Sequence, residues 1–204
     1  MAVITELKLQ KNKQRANVYL DNTFVCGLEL ATIMKHHLKE GVEISREQLE
    51  TMQVDSELES AMDKALGLLE RQKYTKKQIR TKLSTKGYLP TIIDSVIEKL
   101  EEYGYISDTD YAESFLKSTS TKSKKEIRFS LMQKGIKEDV INNVLENSDF
   151  DEEDTITRLA EKFMRYKEPS VENKKKLVAY LYRKGFDYGQ ITKIASNYDI
   201  EIED

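Results

Sequence analysis

Apolar positions along this chain repeat on two scales. At short range, sets such as Ile79/Leu83 and Ile93/Val96/Ile97/Leu100 fall three and four residues apart, which puts their side chains on one face of a helix. At long range the same face returns. Displacements of 48 and then 50 residues carry Ile79 onto Ile127 and Leu177, Leu83 onto Leu131 and Leu181, Ile93 onto Ile141 and Ile191, and Val96 onto Val144 and Ile194. The punctuation moves with them: Lys86-Gly87-Tyr88 recurs as Lys134-Gly135-Ile136 and as Lys184-Gly185-Phe186. Thr75, Ser123 and Asn173 offer a helix-capping side chain at the head of each copy. A register shared by so many positions is an internal repeat.

Each copy reads as three helices. One is marked by Ala65-x-x-Leu68-Leu69, Ala112-x-x-Phe115-Leu116 and Ala160-x-x-Phe163-Met164, spaced 47 and 48 apart, with Ala small enough to let neighbours approach. A second runs from the cap to the Lys-Gly step, where glycine can take the left-handed conformation that closes a helix. The third follows a short turn, with Pro90 suited to its first turn in copy one and Gly104 to its end.

The start of the chain has a different period. Val3, Leu7 and Leu9 sit in a polar-alternating run, and Asn17–Leu20 and Thr23–Cys26 flank Asp21-Asn22 as a hairpin with a two-residue turn, so a small β-hairpin or three-stranded element is expected there. Leu28–Leu38 has a helical pattern ending near Gly41. Ser45-Arg46-Glu47-Gln48 can cap another helix, and a polar join follows around Asp55. The expected fold is therefore mainly α: three tandem three-helix repeats in an elongated array, preceded by a small N-terminal β-hairpin and helix segment. The expected divisions are 1–54 for that segment and 55–107, 108–150 and 151–204 for the repeats. The acidic tail Asp199–Asp204 is expected to fray.

Composition narrows the function. Among 204 residues there is one cysteine, Cys26, which excludes an intramolecular disulfide framework and fits a reducing cytoplasm. No apolar run approaches the roughly 20 residues of a membrane span. His36 and His37 are consecutive on a predicted helix and point about 100° apart, so they do not chelate one ion. Asp151-Glu152-Glu153-Asp154 reads as a solvated helix start. The chain carries no phosphate-cradling loop, metalloprotease helix or nucleophile elbow. The expectation is a protein without catalytic activity, cofactor or metal.

Charge is banded. Arg71–Tyr88 holds seven cations and no anion, Thr91–Glu113 seven anions against Lys99 alone, and Glu138–Asp154 eight anions and no cation. Attraction between neighbouring helices of opposite sign accounts for such bands; the sharper reading is a recognition surface for a partner of alternating charge. Its cations would be Arg71, Lys76, Lys77, Arg80, Lys82, Lys124, Lys125, Arg128, Lys174, Lys175, Arg183 and Lys184. A DNA-binding helix-turn-helix has the right spacing but the wrong sign, because the helix after Gly87 would bring Asp94, Glu98, Glu101 and Glu102 to the phosphates. A scaffold of the HEAT or armadillo kind explains the period but not the β-rich start.

Together these segments resemble the RecX proteins, modulators of the bacterial RecA recombinase. The resemblance rests on Ala65-Leu66-x-x-Leu69, Arg71, the Thr75–Leu83–Lys86-Gly87-Tyr88 run, Gly104-Tyr105-Ile106-x-Asp108 and Asp110-Tyr111-Ala112-x-x-Phe115. Ile127-x-x-x-Leu131-x-x-Lys134-Gly135-Ile136 and Tyr182-Arg183-Lys184-Gly185-Phe186 extend it, so that it covers nearly the whole chain. One departure is Ser123-Lys124, where members often carry Gly-Pro. The resemblance implies a non-enzymatic protein that lies in the groove of the RecA filament on single-stranded DNA and restrains it. Weak direct DNA binding, no membrane partner and a monomeric state are the accompanying expectations.

Overall fold

The computed structural model describes residues 2–11 and 13–198, so the acidic tail lies outside the described residues. They form two compact units, residues 2–73 with 79–105 and residues 74–78 with 106–198.

The first unit opens with β1 (Ala2–Leu9), β2 (Arg15–Leu20), β3 (Thr23–Glu29) and the short β4 (Glu43–Ile44), in the antiparallel order β3-β2-β1-β4. Asp21 and Asn22 both take positive φ, +46° and +65°, as the two-residue turn requires. The sheet has four strands, where the sequence predicts a hairpin or a three-stranded element. A register shift between Ile4 and Glu6 breaks the alternation of β1, so Ile4, Leu7 and Leu9 pair with Leu20, Val18 and Ala16 along one face; Ile4 is buried and Leu7 half-buried, while Leu9 at the strand's end is exposed. The helix expected over Leu28–Leu38 shrinks to α1 (Leu30–Lys35). Leu28 belongs to β3, paired with Ala16 and fully buried, and His37 at φ +51° turns the chain before Leu38.

Helix α2 (Arg46–Leu69) starts at a capping box between Ser45 and Gln48 and passes unbroken through Asp55, the site of the expected polar join. No glycine or proline interrupts it before Gly67, and Leu49 at its start lies in the core of the sheet. Its later turns bury Ala61 and Ala65 and pack on α4 (Pro90–Glu102), whose Ile92, Ile93, Val96, Ile97 and Leu100 are all buried. Between them runs α3 (Lys76–Thr85), held by Ile79 and Leu83; its first turn clusters with the second unit.

The second unit holds two further three-helix sets. One is α5 (Asp108–Lys117), α6 (Lys124–Gln133) and α7 (Glu138–Glu146), closed around Ala112, Leu116, Ile127, Leu131, Ile136 and Ile141. The other is α8 (Glu152–Met164), α9 (Val171–Arg183) and α10 (Tyr188–Ala195), closed around Ile156, Ala160, Leu177, Leu181, Phe186 and Ile191. Ala65, Ala112 and Ala160 are each fully buried, as their recurrence predicts.

The Lys-Gly steps close their helices by one geometry. Gly135 and Gly185 have φ +86° and +82°. Gly135 N–H bonds Met132 O while Ile136 N–H reaches back to Leu131 O, and Gly185 and Phe186 repeat this with Tyr182 and Leu181. This is the paired 5→2 and 6→1 closure of a Schellman end, and the apolar residue after glycine is buried in each case.

Candidate interaction surface

The twelve predicted cations occupy several kinds of position. Lys76 and Lys124 are the first residues of α3 and α6, where a cation faces the positive end of the helix dipole. Each helix start is compensated by a carboxylate from the next α5- or α8-type helix. Lys76 N–H donates to Asp108 Oδ1 at 2.9 Å, and Lys124 N–H to Glu152 Oε1 at 2.6 Å. Part of the charge banding is therefore internal bonding between neighbours.

The caps beside them carry a second contact. Thr75 Oγ1 accepts from Gln78 N–H at 3.2 Å, and Gln78 Oε1 accepts from Thr75 N–H at 3.0 Å, completing a capping box. The same hydroxyl donates to Lys134 O at 2.7 Å. Ser123 repeats the arrangement: it accepts from Glu126 N–H at 3.2 Å and donates to Lys184 O at 2.9 Å. Thr75 and Ser123 are both fully buried. The third cap is a correction. Asn173 sits inside α9, and Ser170 caps that helix three residues earlier by accepting from Asn173 N–H at 3.1 Å. Pro169 just before it favours the extended backbone of Glu168, and the helix gains a turn over its counterparts.

Lys77 and Lys125 lie over the glycines of these junctions. A Cβ on Gly135 would fall 2.1 Å from Lys77 Cδ, and one on Gly185 would fall 3.0 Å from Ser123 Oγ and 3.9 Å from Lys125 Cβ. Arg80 and Arg128 brace helices inside their own repeats. Arg80 is ion-paired with Asp94, and Arg128 Nη2 donates to Asn142 Oδ1 at 2.8 Å, the same two positions one repeat later. Arg183 Nε donates to Ala179 O at 3.3 Å on its own helix. Lys174 and Lys184 are half-buried, whereas Arg71, Lys82, Lys125, Lys175 and Arg183 are exposed.

The structure thus brings Lys76 and Lys77 to the Lys134-Gly135 step, and Lys124 and Lys125 to the Lys184-Gly185 step. Arg71, Arg80 and Lys82 belong to the other unit. Sequence reasoning missed the junction acceptors Asp108 and Glu152. Their signal was an acidic residue directly after the caps Ser107 and Asp151. It also missed exposed apolar side chains interleaved with the cations: Phe129 and Met132 on α6, and Tyr182 on α9.

Among the described residues no His, Cys, Asp or Glu group is placed to hold a metal, and no helix is long and apolar enough to cross a membrane. Cys26 is buried in the sheet core, and that burial, with Glu50 nearby and against the opposing pull of Arg15, raises its thiol above the ordinary range.

A small antiparallel sheet followed by tandem three-helix units, joined by buried cap hydroxyls, defines the class of this protein. Known proteins share it. Residues 2–45 match the regulatory protein RecX N-terminal domain, 61–100 the first RecX three-helix domain and 151–194 the third. A regulatory protein RecX from Clostridium botulinum is 36% identical over 118 residues, a match spanning 57% of this chain and 56% of the relative. One from Clostridium perfringens strain 13 is 33% identical over 195 residues, 92% of both chains. A crystal structure of regulatory protein RecX superposes with a TM-score of 0.68 at 25% identity, covering 96% of this chain and all of the other. The chain belongs to the RecX family of regulatory proteins.

Proposed function

We propose that this chain is a non-catalytic modulator of the RecA recombinase that binds the RecA filament on single-stranded DNA and restrains it. In this reading it acts as a monomer in the cytoplasm and tunes recombination, DNA repair and the SOS response. The observation that carries the reading is the recurrence of one junction through successive repeats. The repeat register sets Lys125 and Lys175 at equivalent positions, both exposed, with Arg183 exposed further along α9. A filament offers repeated acidic side chains and phosphates, and a repeat protein matches periodicity with periodicity. Anionic α4 and α7 then meet basic protein, which bare DNA does not supply.

A second reading is a helical-repeat module that binds DNA, or scaffolds other proteins, without recombinase specificity. Phe129 and Tyr182, exposed on the helices that carry Lys125 and Arg183, favour its DNA-binding form because such pairs stack on unpaired bases. Co-sedimentation separates the two. The first reading expects retention by RecA on single-stranded DNA well above retention by the same DNA alone. Equal retention by both would leave only the second.

A further inference from the structure

The second repeat contains a cleft with no assigned role. It opens between α5 and the C-terminal end of α7, with a volume of about 470 Å³. Leu116, Val144 and Phe150 supply its apolar lining, and the carboxylates of Glu113 and Asp149 stand on its walls. Among the described residues neither carboxylate has an ion-pair or hydrogen-bond partner. The end of α7 adds negative potential of its own, because a helix C-terminus carries roughly half an electron charge. The equivalent helices of the other repeats oppose that potential with a cation in the last turn, Lys99 in α4 and Lys193 in α10. Helix α7 has none there and ends instead in Glu146. Lys117 is the one cation that reaches the rim.

We propose that this cleft receives an arginine side chain from a partner protein. The aliphatic stem would lie on Leu116 and Val144. The flat guanidinium would stack on Phe150 and donate to Glu113 and Asp149. Nucleic acid is disfavoured by sign, since the α7 side of the cleft lies in a stretch, Glu138–Asp154, with eight anions and no cation, and the α5 side sets Glu113 against the single cation Lys117. The inference holds whether or not the partner is the recombinase.

The test uses the full chain labelled with nitrogen-15, titrated with the peptide acetyl-Gly-Arg-Gly-amide. Saturable shifts are expected at the amides of Glu113, Lys117, Asn147 and Asp149. The same peptide with citrulline, the neutral isostere of arginine, should bind about tenfold more weakly. Glu113→Gln with Asp149→Asn should abolish the difference between the two peptides. Lys117→Ser should tighten the arginine peptide, because it removes a competing cation. Equal binding of the arginine and citrulline peptides, shifts confined to other amides, or displacement of the peptide by a short oligonucleotide would each overturn the proposal. None of these outcomes bears on retention by the recombinase filament.

Discussion

Ser123 Oγ lies 2.9 Å from the carbonyl oxygen of Lys184, 61 residues away, and donates to it. The same oxygen caps its own helix, so one buried hydroxyl fastens the start of α6 to the end of α9. Thr75 does the same to Lys134 at 2.7 Å. The Lys-Gly step is thus more than a helix stop. Its last carbonyl would otherwise be an unpaired acceptor, and the preceding repeat supplies the donor.

Ser123→Ala should therefore cost more than the loss of a helix cap. The cap is worth about 1 kcal/mol and an orphaned carbonyl a further 1–3 kcal/mol. Ser170→Ala is the control, because Ser170 caps α9 and, among the described residues, its hydroxyl makes no second hydrogen bond. Urea unfolding of both variants would decide: equal losses would mean the Lys184 bond contributes nothing.

Two glycines with nearly the same φ should respond differently to alanine. Gly87, at +92°, has nothing within 4 Å of an added Cβ, so Gly87→Ala should cost only left-handed strain, roughly 1–2 kcal/mol. Gly135→Ala should cost more, since its Cβ would meet the Lys77 stem at 2.1–2.8 Å. Adding Lys77→Gly should recover about 1 kcal/mol of the excess in a double-mutant cycle. Additive losses would show that Lys77 moves aside freely.

Helix α2 joins two jobs along 24 residues, packing on the sheet and on the first repeat. A chain beginning at Ser45 keeps the capping box, whereas one beginning at Gln53 starts mid-helix with uncapped amides. The first should melt higher by several degrees and show more helix by circular dichroism. Equal melting curves would show that residues 45–52 add no stability once the sheet is gone.

Charge reversals should separate filament from DNA binding. Lys125→Glu with Lys175→Glu alters two exposed cations and should weaken retention on the recombinase filament more than on bare single-stranded DNA. If both positions touch only phosphates, the DNA affinity will fall in parallel and the salt slope will drop by roughly 0.7 per contact. Arg80→Glu makes a contrast. It breaks an exposed intramolecular pair with Asp94, worth about 0–1 kcal/mol, and should chiefly lower stability.

Cys26 supplies a pH test. Its thiol is raised in the folded state by burial, so folding favours the protonated form. The resulting stability is fully present below the unfolded thiol's pKa and is lost as pH rises through the higher folded value. Stability should fall more steeply above the ordinary thiol range in the wild type than in Cys26→Ala. A thiol reagent should also react slowly until urea unfolds the sheet. Rapid labelling of the native chain would contradict that burial.

By itself the sequence determined the repeat, the three-helix unit and its cores. Helical faces, glycine ends and the caps Thr75 and Ser123 are local properties, written in spacings of a few residues. It also contained the turn at Asp21-Asn22, since only residues tolerant of positive φ suit both positions. Tertiary structure decided what depends on partners distant in sequence. The fourth strand exists because two residues, Glu43 and Ile44, meet Val3 and Ala2 across a gap of 39 or more positions, too short a run to leave a pattern. The cap of α9 lies at Ser170, although Asn173 is an equally good cap type, and the helix starts a turn earlier after Pro169. The second bond of each cap hydroxyl was likewise invisible: a serine side chain announces that it can donate, while only the folded chain brings a carbonyl within its reach.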